Sequence, residues 1–214
     1  MPQAEWIGLR RVTNRLTAFS AIDGKFDQAA GNCDEGIMLE VLYKGTFSYA
    51  ATADVSSSGI KRAAERAFAA AQAAQPYSIY RFDQSVRPAA QVRYTTKREK
   101  LSGIPAAETA ALLCSLCNAA NVSSNIIQTS AFYETGVSET EMVSTNGADI
   151  RQTVRFGGIS MNAVARDGDI IQQRSINGHS ALTYQGGREL FDPAVLLEKA
   201  RNAGTEAVEL LTAE

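Results

Sequence analysis

One histidine, three cysteines, one tryptophan and five prolines are spread over 214 residues. A single histidine excludes any metal site built on two histidines of this chain. An odd number of cysteines makes no disulfide framework, which fits a reducing compartment. Charge of one sign is also scarce in excess. Lys plus Arg total 21 against 23 Asp plus Glu, and no basic run exceeds a few residues, so the electrostatic footprint of a nucleic-acid binder is missing. Long apolar runs are missing as well. The most apolar stretch, AALLCSLCNAA, is too short and too polar to cross a bilayer, and the start, MPQAEWIGLRR, lacks the apolar core of a secretory signal. The expectation is a cytoplasmic protein with neither nucleic acid nor membrane as partner.

What is present is periodicity. The length allows one large domain or two small ones, with a core that needs no metal or disulfide support. Trp6–Val12 and Arg15–Ile22 read as strands, and Asp23-Gly24 as a tight turn into Lys25–Ala29. In GIMLEVLYKGTFSYAATAD, Ile37, Leu39 and Val41 alternate onto one face, Lys44-Gly45 turns the chain, and Phe47, Tyr49 and Ala51 alternate on the return. Ser56-Ser57-Ser58 offers N-cap oxygens for a helix over Ser58–Ala74 whose inner stripe is Ile60, Ala64, Ala67, Phe68 and Ala71. After a charged crossing segment with a strand at Gln91–Thr95, a second helix starts near Pro105 and buries Leu112, Leu113 and Leu116.

From Ser124 to Tyr184 the pattern is a β-meander. Strands are expected at Ile126–Tyr133, Glu141–Ser144, Ile150–Phe156, Ile159–Arg166 and Ile170–Ser175, with turns at Asn146-Gly147 and Asp167-Gly168. Outward polar residues such as Gln152, Arg155, Gln172 and Arg174 predict one solvated face. Asp192-Pro193 caps a last helix, Pro193–Thr212, with Leu196, Ala200, Ala203, Ala207 and Leu210 on one stripe that needs a partner surface. The fold class is α+β: an antiparallel sheet with a packed helix, then a helix plus β-meander unit closed by a C-terminal helix.

The residues able to do chemistry are few. Cys114-Ser-Leu-Cys117 could hold zinc or cycle as a redox pair, but only Cys33 and one histidine remain as further ligands, and the pair sits mid-helix in an apolar run. Buried thiols are the better reading. His179 could pair with Ser175, Ser180 or Cys33, yet no nucleophile-elbow glycines surround any serine. Gly157-Gly158 reads as a strand bend or bulge and Gly186-Gly187 as a loop, since neither leads from strand to helix in a phosphate-binding layout. The Asn121-Val-Ser123 sequon is a chance match in a cytosolic chain.

Two stretches resemble a known family. GIMLEVLYKGTFSYAATADVSSSGIKRAAERAFAAAQ is similar to the first domain of TldD/PmbA proteins, metallopeptidases also called modulators of DNA gyrase. STNGADIRQTVRFGGISMNAVARDGDIIQQ, followed by ELFDPAVLLEKARNAGTEAVELLTAE, is similar to their second domain. The resemblance implies a first domain over 1–76, a connecting segment over 77–100 and a middle domain over 101–214. In the family the last helix leads into a third domain that carries His-Glu-x-x-x-His and a distant cysteine as zinc ligands. Catalytic, cofactor-binding and metal-ligating residues are therefore assigned nowhere in this chain, and zinc is expected only in a C-terminal domain beyond it. Two departures stand out: many relatives begin with an extra helix, and many have arginine where this chain has Glu40. The implied function is a non-catalytic N-terminal and middle portion of a peptidase, helping to form a peptide-holding chamber and a homo- or heterodimer. Its partners would be a peptide or unfolded polypeptide and a TldD/PmbA-type subunit. The alternatives are a stand-alone binding or scaffolding homologue and a small enzyme built on His179.

Overall fold

A computed structural model describes residues 4–97, 105–178, 182–187 and 190–213. In chain order the elements are β1 (Trp6–Ile22), β2 (Lys25–Tyr43), β3 (Thr46–Thr52), α1 (Ser57–Ala74), β4 (Gln91–Thr95), α2 (Ala106–Ala120), β5 (Ile126–Ser144), β6 (Asp149–Asp167), β7 (Ile170–Ser175), β8 (Leu182–Gln185) and α3 (Pro193–Glu209). The strand order is β3-β2-β1-β5-β6-β4, with β7 and β8 also pairing β6. This is an α+β fold with a curled, mainly antiparallel sheet. One printed pair departs from that rule, β4 running parallel to β6.

Four strands are longer than their sequence patterns suggest. The expected breaks at Thr13-Asn14, 134–140 and Gly157-Gly158 are absent, and β1, β2, β5 and β6 run for 17 to 19 residues. Each expected break carries polar or glycine residues, but there the polar groups find partners. Thr13 is buried and donates to Glu35 at 3.2 Å, and Thr135 donates to the Phe156 carbonyl at 3.3 Å. Same-face partners reveal one irregularity. Ser20 faces Asp27, an even residue beside an odd one, whereas Thr13 faces Glu35, odd beside odd. Period-2 alternation allows both only if one extra residue is inserted, a β-bulge lying between Thr13 and Ser20 or between Asp27 and Glu35.

Packing divides the chain into two units, interleaved in sequence because each long strand contributes to both. The first comprises Met1–Arg15, Cys33–Thr95 and Ser138–Val154, the second Leu16–Asn32, Thr96–Val137 and Arg155–Glu214. In the first unit α1 seats Ala63, Ala64 and Ala67 on Ile37, Leu39 and Val41 of β2. Ser56 caps the helix, its Oγ accepting from the Gly59 N–H at 3.1 Å. The register pairs Val41 with Ser48 and Leu39 with Ala50. The helix side of β3 is thus lined by small residues, and Phe47 and Tyr49 point to the opposite face with Glu40 and Leu42. Lys44 and Gly45, both at positive φ, form the tight hairpin turn.

In the second unit α2 and α3 share one core with β1, β5 and β6: Leu113, Leu116, Cys117, Phe19, Ala131, Ile159 and Met161 with Leu196, Ala200, Ala203, Ala207 and Leu211. The stripe on the last helix therefore has its partner surface within the unit. It ends on Leu211 rather than Leu210, because the final turn tightens to a 3-10 turn over Leu210–Thr212. Gly157 and Gly158 lie inside β6 and pair in unbroken register with Tyr184 and Thr183 of β8; a Cβ on Gly157 would lie 3.3 Å from the Phe191 ring. Gly168 has positive φ while Asp169 does not, so the turn falls on Gly168-Asp169, one residue later than expected.

Helices α2 and α3 approach closely at Gly204, where a Cβ would sit 2.1 Å from the Ala120 carbonyl oxygen. Neither backbone can yield locally. Gly204→Ala is expected to destabilise the protein by about 1–3 kcal/mol despite the helix propensity it gains, as a lower urea midpoint at unchanged m-value.

Candidate functional site

Helix α1 covers Ile7 and Leu9 of β1 but not the residues that follow on the same face. There the first unit exposes side chains from five strands, and they carry alternating charge. Glu35 of β2 accepts from Arg11 Nε of β1 at 2.6 Å. Arg11 lies 3.8 Å from Glu141 of β5, and Arg151 of β6 lies 3.9 Å from the same carboxylate. Arg151 Nε is 3.5 Å from Asp149, which accepts from Arg93 of β4 at 2.5 Å. A second pair, Arg15 with Glu139 at 2.5 Å, stands beside the row. Three cations and three anions thus form one continuous ladder across β2, β1, β5, β6 and β4.

A cleft of ≈ 280 Å³ opens between this ladder and the first turn of α1. One wall is apolar, with Leu9, Ile37, Ile60 and Val143; the other is Arg11, Glu141, Asp149 and Arg151. A second hollow of ≈ 270 Å³ lies over Thr13, Arg15, Glu139 and Gln152. Glu35 and Asp149 are acceptors rather than acids. The hydrogen bond from Arg11 holds Glu35 below its ordinary range, and the bond from Arg93 does the same for Asp149. Neither can hold a proton for general acid work near neutral pH.

The opposite face of the first unit carries a separate polar cluster. Glu40 is almost buried and takes both Arg87 Nη2 at 2.7 Å and Nε at 3.2 Å. Arg87 lies over the Phe47 ring at 5.1 Å, and its carbonyl accepts from Asn146 Nδ2 at 2.8 Å. Asn146 Oδ1 in turn accepts from the Trp6 indole at 3.0 Å. Glu40 therefore has a cation supplied by the crossing segment. Arg87 is stabilised in its charged form chiefly by the hydrogen bond to Glu40.

The residues singled out from the sequence do not converge. Cys117 is fully buried, its thiol 3.6 Å from the Ala21 carbonyl and pushed up in pKa mainly by burial. Cys114 packs half-buried against the same core, and Cys33 is exposed on β2. Ser175 donates to the Gly178 carbonyl. His179 and Ser180 lie outside the described residues. Among the described residues no group of three His, Cys, Asp or Glu could hold a metal ion, and no helix is long and apolar enough to cross a membrane. Gln152 and Arg174 are solvent-exposed as expected, whereas Arg155 is half-buried. The ladder itself was not singled out in the sequence. Its local signal is same-face charge at period two, Glu139/Glu141 and Asp149/Arg151.

The chain matches two parts of one family. The model for PmbA/TldA metallopeptidase domain 1 covers residues 9–71, and that for the central domain covers residues 99–211. The chain belongs to the TldD/PmbA family. It is 27% identical over 214 residues to a protein of Methanothermobacter thermautotrophicus named metalloprotease, covering 99% of this chain and 44% of that one. The fold matches that of a Thermotoga maritima protein called a modulator of a DNA gyrase, with a TM-score of 0.72 at 16% identity over 98% of this chain and 45% of the other. It also matches TldE of Thermococcus kodakarensis, with a TM-score of 0.58 at 13% identity over 97% and 44%. The chain spans under half the length of these relatives.

Two outcomes are expected. Arg87→Ala strands a nearly buried carboxylate and should cost about 2 kcal/mol, below the range for a fully enclosed pair because Arg87 is half-open to water. Adding Glu40→Gln should recover more than half of that loss in the same urea titration. For the ladder the sign follows from the lowered carboxylates: its contribution is full above the unfolded values near ~4 and is lost as pH falls through the lower folded values of Glu35 and Asp149. The thermal midpoint should drop below about pH 4, and Arg11→Ala/Arg93→Ala should flatten that part of the profile.

Proposed function

We propose that this chain is the non-catalytic N-terminal and middle portion of a TldD/PmbA-type metallopeptidase, and that it holds polypeptide for a zinc centre located elsewhere in the assembly. The observation that carries the reading is the two-walled cleft. An apolar wall of Leu9, Ile37, Ile60 and Val143 suits an apolar side chain, and the charged wall suits the polar main chain on either side of it. Beside it β4 ends the strand order with all five residues exposed. An extended peptide could add there through sequence-tolerant main-chain hydrogen bonds. Pairing with a second TldD/PmbA-type subunit, identical or not, would close the chamber around the bound segment, and the cytoplasm would be its compartment.

The ladder supports holding rather than cutting. Its cations are already engaged by carboxylates, so no surplus charge selects one kind of substrate, and Glu35 and Asp149, both held below their ordinary range by arginine, are poor proton donors. The apolar wall then becomes the selective element.

The test uses the full-length protein that includes the zinc domain. Val143→Trp fills the cleft from β5 and is expected to raise KM for long unfolded peptides several-fold, with kcat and dipeptide hydrolysis unchanged. Cleavage with and without the two domains attached should differ in the peptide sizes accepted. Unchanged size selection would rule the reading out.

A further inference from the structure

Asn146 and Gly147 sit in the turn between β5 and β6, and their bonding partners all belong to the first unit. The Ser144 N–H donates to the Ala148 carbonyl and the Gly147 N–H to the Ser144 carbonyl. The loop is thus Thr145-Asn146-Gly147, a tight turn followed by a glycine at positive φ, 95°. An asparagine before glycine is prone to close on its own backbone. The next peptide nitrogen can attack the side-chain Cγ, and glycine puts no Cβ in the path of that approach.

Here both reacting groups are occupied. Asn146 Oδ1 accepts from Trp6 Nε1 at 3.0 Å and from Ser144 Oγ at 2.5 Å, and Nδ2 donates to the Arg87 carbonyl at 2.8 Å. The nucleophile, the Gly147 nitrogen, directs its N–H at Ser144, 3.1 Å away. Of these holds, the one from the crossing segment is the least secure. No residue from Tyr77 to Ala90 is buried, and Tyr77 and Ile79 are almost wholly exposed. Besides the Glu40–Arg87 pair, the segment is tied down by the Phe82 N–H on the Gly45 carbonyl at 2.8 Å, by the Phe82 ring 5.6 Å from Phe47, and by the Ala90 carbonyl, which accepts from Asp149 at 2.8 Å. A stretch with so few buried contacts opens locally at well below the cost of global unfolding.

We infer that Asn146-Gly147 is a deamidation site gated by the crossing segment. When Arg87 lifts, Nδ2 loses its acceptor and the side chain is free to turn toward the Gly147 nitrogen. The bond from that nitrogen to Cγ forms, the Cγ–Nδ2 bond breaks, and ammonia leaves with the Gly147 proton. Water then opens the cyclic imide at either carbonyl, giving aspartate or isoaspartate; no oxidant or reductant takes part. The product cannot restore the old contact. A carboxylate oxygen now stands where Nδ2 donated, acceptor against acceptor at the Arg87 carbonyl. Modification therefore turns a reversible opening of the segment into a permanent one. The inference does not depend on the peptide-holding function.

The test follows the peptide containing Asn146 by mass spectrometry during incubation of this chain at mildly alkaline pH. Conversion in the folded protein should be roughly tenfold slower than in urea, or slower still, because only the opened fraction reacts. Phe82→Ala removes the ring that seats the segment on Phe47 and should speed conversion in the folded protein several-fold, with the rate in urea unchanged. Gly204→Ala, which loosens the second unit, should leave the folded rate at the wild-type value. Asn146→Asp, the product itself, should hasten chymotryptic cleavage after Phe82 while the far-UV spectrum is kept. Conversion as fast in the folded chain as in urea, no response to Phe82→Ala, or an equal response to Gly204→Ala would each overturn the gate. Wild-type cleavage kinetics for Asn146→Asp would overturn its permanence.

Discussion

The alternation of charge across β2, β1, β5, β6 and β4 is the constraint around which the first unit is built. Helix α1 is long enough to cover Ile7, Leu9 and the Ile37–Val41 stretch but not the rest of that face. An uncovered sheet face of apolar residues would be a sticky patch, and one of a single charge would repel itself. Glu35, Arg11, Glu141, Arg151, Asp149 and Arg93 avoid both. Pair by pair they are half-exposed, screened by water, and contribute little to stability. Their value lies in specificity. A one-residue slip of β5 or β6 would turn Glu141 or Arg151 to the other face and break the ladder in the middle.

Both units solve the packing of helix on sheet, or helix on helix, with small residues. Ala63, Ala64, Ala67 and Ala71 form the floor of α1, and Ala200, Ala203, Gly204 and Ala207 that of α3. Small side chains bring little apolar area each, so the stabilisation comes from close approach and from the large residues they meet, such as Leu113, Leu116 and Met161. Such surfaces have almost no slack. This is why the Gly204–Ala120 contact, and not a bulky core residue, limits the geometry of the second unit.

Local chemistry was legible in the sequence and long-range pairing was not. Asp23-Gly24 and Lys44-Gly45 turn where their dipeptides say they should, Ser56 and the Asp192-Pro193 pair start helices, and the Gln91–Thr95 strand has the expected bounds. Each of these is decided within four or five residues. Polar interruptions misled because their remedy is distant in sequence: Thr13 reads as a break until Glu35 stands beside it, and the Gly157-Gly158 pair until Phe191 fills the space. The parallel pairing of β4 with β6 joins segments more than fifty residues apart and leaves no local trace. The ladder is the extreme case, since its six charges come from five strands and no single strand holds more than two of them.

The same separation explains why the site has the character it has. Residues that act chemically on a substrate must be held near their working pKa and free of permanent partners, and here every charged group of the ladder is engaged and every shifted carboxylate is pushed further from neutrality. Such an arrangement resists change on binding, which suits a surface that positions a ligand and not one that exchanges protons with it. The Glu40–Arg87 pair follows the same logic on the other face. A nearly buried carboxylate is tolerable here only because the crossing segment delivers a cation to it, with Phe47 under the guanidinium and Asn146 bonded to the Arg87 carbonyl. The crossing segment is thereby tied to β2 by charge, in addition to the pairing of its strand β4 with β6.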